Sequence, residues 1–261
     1  MTKHKINLPI KLAILGLTIF IVLVFIIGYL GAALKNLDYF KIKYIVVNKP
    51  EETFDFSYLL GRNIFHIDLK KESRYISELY PVYKNIRLFR ILPNRLFIGF
   101  TERKPLAYVK LYRYFCVDSA LVLFDLPQGR EAEDLPVIIG LERKILGPKP
   151  GKQYKIKELI VALNIIKEIE INNLLKKYKI ERIDVANPAN ISCFIQLSDY
   201  LKGQVVTDFK ALEVKIGQDD IGDKIQVLAG LFAQLGDDIS NIKYIDLRFK
   251  EPVIKFNEGK S

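Results

Sequence analysis

The sequence predicts an α+β protein: an N-terminal transmembrane helix, then a β-α-α-β-β domain, then a mixed, mainly antiparallel β domain with two flanking helices. Three observations carry that expectation. Residues 12–34 run for about 23 positions without a charge. Short β-branched and aromatic runs, broken by Pro, Gly and Asn turns, fill much of the remaining chain. Two later segments, about 155–171 and 221–235, place their apolar residues at helical spacing.

The first run, LAILGLTIFIVLVFIIGYLGAAL, has no strand-like alternation. Only helices and closed barrels satisfy their backbone polar groups in lipid. As a helix it is roughly 34 Å long, enough to cross a hydrocarbon core of about 30 Å with some tilt. A cleaved signal peptide is the rival reading, with Gly31 and Ala33 small enough for a cleavage site. Its apolar region would be shorter, about 7–15 residues, which favours a retained anchor. Orientation stays open, because Lys3, Lys5 and Lys11 precede the span while Lys35, Lys41 and Lys43 follow it.

After the span, KIKYIVVN (41–48) reads as a strand that Pro50 stops. A short helical turn over 54–60 ends at Gly61, and a second helix is expected over about 71–79. VYKNIRLFR (82–90) and RLFIGFTE (95–102) read as two strands joined by a Leu-Pro-Asn turn. One sheet with helices on one face would bury this module.

Beyond Pro105 the runs AYVKLY, YFCVD and ALVLFD, within 107–125, read as an antiparallel meander, followed by a polar loop (126–134) and LPVIIG (135–140). The helix over 155–171 comes next. IERIDV (180–185), ISCFIQL (191–197), QVVTDF (204–209) and ALEVKIG (211–217) are strand candidates. In the helix over 221–235 an apolar stripe runs through Ile221, Ile225, Leu228, Phe232 and Leu235. Asp220 with Asp223 reads as a capping box and Gly236 as the stop. KYIDLRF (243–249) and VIKF (253–256) close the pattern. The expected divisions are a tail (1–11), the span (12–34), a first domain (38–105), a second (106–256) and a C-terminal tail (257–261).

The net charge of +10 is uneven. Residues 1–34 carry three lysines and no acid, and residues 35–105 carry 14 basic and 8 acidic side chains. The excess therefore lies near the membrane, where anionic headgroups or an acidic partner would attract it. No nucleic-acid-binding motif accompanies it. Two cysteines, Cys116 and Cys193, make no disulfide framework; they are free packing thiols or one bridge.

Catalytic chemistry finds no foothold in the motifs. His66 lies near Asp68 but has no nucleophile beside it, so a solvent-facing or capping role is expected. Asp219-Asp220 and Asp237-Asp238 flank a helix, where carboxylates serve its ends. GPKPGK (147–152) has the wrong glycine spacing for a phosphate loop. No catalytic residue, cofactor site or metal site is expected.

The strand–helix–helix–strand–strand order after one span, with GRNIFHIDL (61–69), resembles a POTRA domain. ILPNRLFI (91–98), followed by ERKPLA (102–107), resembles the end of the POTRA domain of the FtsQ/DivIB family. YFCVDSALVLF (114–124) and LPVIIG (135–140) resemble the opening of that family's β domain. VKIG (214–217), the capped helix and YIDLRF (244–249) resemble its close. The order of these phrases, more than any one of them, carries the resemblance from the anchor to about Phe256.

The resemblance implies a cytoplasmic N-terminus, a bulk outside the cytoplasm at the division septum, and a scaffold rather than an enzyme. It implies FtsB- and FtsL-like partners and a link to the machinery that builds septal peptidoglycan. Carried over by position, the FtsB contact points to Arg248, Phe249, Glu251, Val253, Ile254 and Phe256. Pro252 interrupts that stretch, and Phe249 stands where the family often has tyrosine. Strand addition is the expected mode, with core closure by Val253, Ile254 and Phe256 as the rival reading. On the POTRA domain Arg74, Arg87, Arg90 and Arg103 form either a partner or lipid surface, or a solvated one. The alternative family is a POTRA protein of envelope assembly or secretion, which needs a barrel that these segments do not supply. A secreted enzyme that keeps its signal is the third reading.

Overall fold

The computed structural model describes residues 8–35, 37–49, 53–127, 134–197 and 210–257. The chain divides into two compact units, Met1–Leu79 with Asn85–Thr101, and Tyr80–Lys84 with Glu102–Ser261. Its elements are α-helical and, in the sheets, mixed but mainly antiparallel, as the α+β expectation requires.

Helix α1 spans Leu8–Lys35 and begins a turn before the uncharged run. Pro9 fits there because the first turn needs no N–H from it. Among the described residues this is the one helix long and apolar enough to cross a membrane. Its apolar side chains point outward, Phe25 being 74% exposed.

The first unit holds β1 (Tyr44–Val47), α2 (Leu69–Leu79), most of β2 (Tyr83–Ile91) and β3 (Arg95–Glu102). The sheet order is β1-β3-β2, with β1 parallel to β3 from Tyr44 opposite Arg95 to Val47 opposite Ile98. β1 is shorter than the expected 41–48: the N–H groups of Ile42 and Lys43 go to the Arg62 and Asn94 carbonyls before the strand begins, and Asn48 ends it with its side chain. The Asn48 amide donates to the Phe100 carbonyl at 3.0 Å and its oxygen accepts from the Phe100 N–H at 2.8 Å. The helix expected over 54–60 is a single 3-10 turn, Ser57–Leu59. Helix α2 begins two residues earlier than expected, since Asp68 accepts from the N–H groups of Lys70 and Lys71 at 3.0 and 3.1 Å. That capping, led by the Lys71 N–H, holds the Asp68 carboxyl below its ordinary range. His66 is exposed. Leu59, Ile64, Ile67, Ile76, Leu96 and Ile98 are fully buried and form this unit's core.

The second unit is built on one nine-stranded sheet. Its strands are β4 (Ala107–Lys110), β5 (Tyr114–Val117), β6 (Leu123–Phe124), β7 (Val137–Ile139), β8 (Lys179–Asp184), β9 (Ser192–Leu197), β10 (Lys210–Lys215), β11 (Ile242–Asp246) and β12 (Val253–Phe256). Their order is β12-β11-β10-β9-β8-β7-β4-β5-β6. The meander over β4, β5 and β6 is antiparallel. β7 instead runs parallel to both β4 and β8; α3 (Lys157–Ile171) makes the crossover from β7 to β8, while β5 and β6 lie in the connection from β4 to β7. α4 (Ile221–Leu235) makes the crossover between the parallel β10 and β11.

Register aligns one transverse row of core side chains across seven strands: Val109, Ile138, Ile183, Cys193, Val214, Ile245 and Ile254. The first six are fully buried and join Leu159, Ile166, Leu228 and Phe232 of α3 and α4 in one cluster. Ile254 packs against that cluster from the sheet's last strand. Gly140 ends β7 with φ +93, and a Cβ there would lie 2.3 Å from the Ala186 nitrogen, so only glycine fits.

One expectation is corrected, and for the cysteines the packing-thiol reading holds over the bridge. Asp220 precedes α4 in a left-handed conformation with φ 54, and its side chain makes no capping bond, so there is no capping box. Cys116 and Cys193 are buried free thiols on β5 and β9, with three strands between them. At about 4.8 Å per strand that separation is far beyond disulfide reach. The strand expected over 204–209 and most of the loop over 126–134 lie outside the described residues.

Candidate partner-binding edge

β12 ends the nine-stranded sheet and, among the described residues, pairs with β11 alone. The pairing is antiparallel, with Ile254 opposite Ile245 and Val253 opposite Asp246, and it carries an irregularity between Ile242 and Tyr244. Which backbone groups face outward is set by the hydrogen bonds. Asn257 N–H donates to the Asn241 carbonyl at 2.8 Å, so Asn257 faces β11. Alternation along β12 then turns Val253 and Lys255 toward β11 and leaves the N–H and C=O of Ile254 and Phe256 pointing away from the sheet. Pro252 occupies the preceding outward position, where a missing N–H costs the ladder nothing. The proline that breaks the sequence stretch therefore leaves the edge intact.

Side chains at this edge divide by environment. Phe249 is 61% exposed, Val253 46% and Phe256 51%, and Glu251 is exposed as well. Ile254 is half-buried against the core. By alternation Val253 and Phe256 lie on opposite faces of β12, so exposed apolar groups flank the edge on both sides. Core closure holds for Ile254 but not for Val253 and Phe256.

Arg248 plays a different part. Its Nε lies 2.9 Å from Asp246 Oδ1 and its Nη2 2.5 Å from Oδ2, a two-pronged pair. Asp246 is buried and Arg248 partly exposed. The guanidinium bonds hold the Asp246 carboxyl below its ordinary range, against desolvation by burial, with the Arg248 N–H and the charge of Lys215 adding to them. The same pair raises Arg248 above its already high value. Arg248 also reaches the Ala189 carbonyl at 3.4 Å and lies 5.8 Å from the Phe249 ring centroid. It anchors the loop from which Phe249 projects.

Sequence reasoning missed Asp246 and Tyr244. Ile245 and Leu247 are core residues, so Tyr244, Asp246 and Arg248 share the opposite strand face. An Asp two residues before an Arg on one strand face was the available signal. Lys215, on β10, completes this face with its Nζ 4.3 Å from the Tyr244 ring centroid.

The four arginines of the first module are not one surface. Arg90 donates from Nε to the Ile64 carbonyl at 2.8 Å and from Nη2 to the Ile67 carbonyl at 2.7 Å. Arg103 pairs with the buried Asp118 at 2.7 Å and donates to the Pro81 carbonyl at 2.9 Å. Both support backbone turns. Arg74 and Arg87 are exposed and line one groove with Lys70, on α2 and β2.

With this geometry in place, the relationships to known proteins are direct. The family model described as "Cell division protein FtsQ/DivIB, C-terminal" matches residues 107–248, ending just before the exposed edge residues. The cell division protein FtsQ of Syntrophotalea carbinolica is 26% identical over 238 residues, covering 88% of this chain and 79% of that protein. That of Geotalea daltonii is 25% identical over 230 residues, covering 86% and 76%. That of Koribacter versatilis is 24% identical over 211 residues, covering 80% of this chain and 56% of the longer relative. The matched domain takes in more than half of the chain and the relatives take in most of it, and so this chain, with its N-terminal apolar helix of membrane-spanning length, belongs to the FtsQ/DivIB family of cell division proteins.

Proposed function

We propose that the chain is a non-enzymatic scaffold of the division machinery that captures FtsB- and FtsL-like proteins by strand addition at β12. In this reading α1 anchors the protein in the plasma membrane at the septum, residues 1–11 are cytoplasmic and the rest is extracytoplasmic. Residues 38–105 act as a POTRA domain and 106–256 as the partner-binding β domain. Through its partners the protein connects to septal peptidoglycan synthesis.

One observation carries the proposal: among the described residues β12 has a free edge, with the backbone groups of Ile254 and Phe256 turned outward, beside exposed Phe249, Val253 and Phe256. An incoming strand would satisfy those groups, each hydrogen bond contributing about 0.5–1.5 kcal/mol net. Phe249 and Phe256 would supply the apolar anchors that dominate interfaces of this kind. Glu251 would set polarity at the rim, and Arg248 would hold the loop in place.

Affinity capture of the full-length protein from solubilised membranes tests this reading, beside a variant carrying Phe249→Ala and Val253→Lys. Small single-span division proteins are expected with the parent and not with the variant, whose folding is checked by its melting curve. Equal capture by both would remove β12 as the site. Capture of no division protein by either would remove the scaffold role.

A further inference from the structure

The chain that leaves α1 is fastened to the first module within a few residues. After Lys35 it forms a 3-10 turn, Asp38–Phe40, and the Phe40 carbonyl accepts the Ile64 N–H at 2.9 Å. Ile42 follows, its N–H donating to the Arg62 carbonyl and its carbonyl accepting the Gly61 N–H, both at 2.9 Å. The Lys43 N–H donates to the Asn94 carbonyl at 2.9 Å, in the turn between β2 and β3. Three stretches, 37–43, 60–65 and 91–95, are thereby drawn together at the end of the sheet where the parallel strands β1 and β3 begin. From Lys35 to Phe40 an extended chain reaches at most about 18 Å, so this end stays close to the terminus of α1.

Its surface is apolar at the tips and basic between them. Leu37, Tyr39, Leu60 and Leu92 are exposed, Tyr39 at 64% and Leu92 at 57%. Tyr39 stands edge-on to Phe40 at 5.4 Å between ring centroids, and Phe40 to Phe65 at 5.1 Å, so the tip rests on a packed aromatic support. The same three stretches carry Lys41, Lys43, Arg62 and Arg95, all exposed, and a single carboxylate, Asp38. Asp38 is taken by Lys41 at 2.9 Å, and Arg62 lies 3.9 Å from Glu72. Lys43 and Arg95 form no ion pair among the described residues, and the Arg95 guanidinium lies 5.4 Å from the centroid of the exposed Tyr44 ring.

We infer that this end of the first module is a membrane-contact surface, which rests on the leaflet from which α1 emerges, with Tyr39 and Leu92 in the headgroup layer and Lys43 and Arg95 on anionic lipid phosphates. The inference depends on the reading of α1 as a retained membrane anchor. Tyrosine suits the headgroup layer because its ring is apolar and its hydroxyl polar. Apolar tips among lysines and arginines bind a bilayer through buried area and charge attraction together. A short tether keeps the bilayer at high effective concentration beside this end, an advantage that no soluble partner shares. The contact fixes the orientation of the module on the bilayer, where a free linker would let it swivel.

The chain has no tryptophan, so one introduced at a chosen position reports alone. Full-length Tyr39→Trp, Leu92→Trp, Asn85→Trp and Phe25→Trp variants are placed in nanodiscs of equimolar phosphatidylcholine and phosphatidylglycerol, with and without acyl chains brominated near the headgroup. Bromolipid is expected to quench the Tyr39→Trp and Leu92→Trp variants by about twofold or more. Asn85 is exposed and lies about 20 Å from Ile91 along β2, so its variant is expected to keep its fluorescence. Lys43→Glu with Arg95→Glu is expected to abolish most of the quenching at position 92, with folding checked by the melting curve. Phe25 lies within the span, and quenching of its variant reports the anchor separately. Positions 39 and 92 as bright as position 85, beside a quenched position 25, would overturn this proposal and leave the anchor standing. An unquenched position 25 would remove the anchor and the proposal with it. Quenching indifferent to charge reversal, or shielding of position 92 from aqueous acrylamide without quenching by bromolipid, would also overturn it, the latter by assigning this end to a protein.

Discussion

Arg248 closes a two-pronged pair on the buried Asp246, with its Nε 2.9 Å from one carboxylate oxygen and its Nη2 2.5 Å from the other. The pair sits at the end of β11, one residue before Phe249 leaves the sheet. It makes Arg248 a support for the candidate edge more than a contact on it. Arg248→Ala would leave a buried carboxylate with its strongest donor gone, at a cost of about 1–3 kcal/mol. Chemical denaturation of the parent and variant measures this directly.

The same pair sets a pH dependence. Asp246 is held below its ordinary range by Arg248, so the folded state binds fewer protons there than the unfolded chain. Its contribution is fully present above the unfolded carboxylate pKa of about 3.9 and is lost as pH falls through the lower folded value. Asp246→Asn is expected to flatten the stability profile in that acid window, read as melting temperature against pH.

Arg90 and Arg74 are expected to behave differently on truncation. Arg90→Ala strands the carbonyls of Ile64 and Ile67 and costs about 1–3 kcal/mol. Arg74→Ala, at an exposed helix position, stays within about 0.5 kcal/mol. Melting curves of the two variants separate structural from surface arginines.

Gly140→Ala is expected to destabilise the second unit by more than about 2 kcal/mol. A methyl group would collide with the Ala186 backbone, and φ +93 is strained for any other residue. Denaturation is again the readout.

Burial pushes the Cys116 and Cys193 thiols up to about 12, so neither is a thiolate at neutral pH. A thiol-reactive dye is expected to label both only as the protein unfolds, with rates that follow unfolding. Fast labelling at pH 8 would contradict the buried placement.

Much of the fold was legible because its signals are local. The uncharged run, the stripe from Ile221 to Leu235 and the alternation in RLFIGF each define an element without knowledge of any neighbour. Boundaries were lost where a side chain acts on a distant backbone, as when Asn48 terminates β1 on Phe100, and where a cap shifts a start, as when Asp68 begins α2 early. The parallel setting of β7 was invisible because sequence spacing records neither crossover partner. Asp220 looked like a cap by residue type, but its left-handed backbone keeps its side chain from capping. The edge itself was legible only as a short terminal strand. Its free backbone groups needed the sheet order, and the division of the four arginines needed the carbonyls they reach.

Amide hydrogen exchange on the full-length protein, with and without its FtsB- and FtsL-like partners, tests strand addition at β12 most directly. The account predicts that the Ile254 and Phe256 amides exchange rapidly alone and become protected in the complex, since both point away from β11. A complex that forms while those two amides stay unprotected would contradict it.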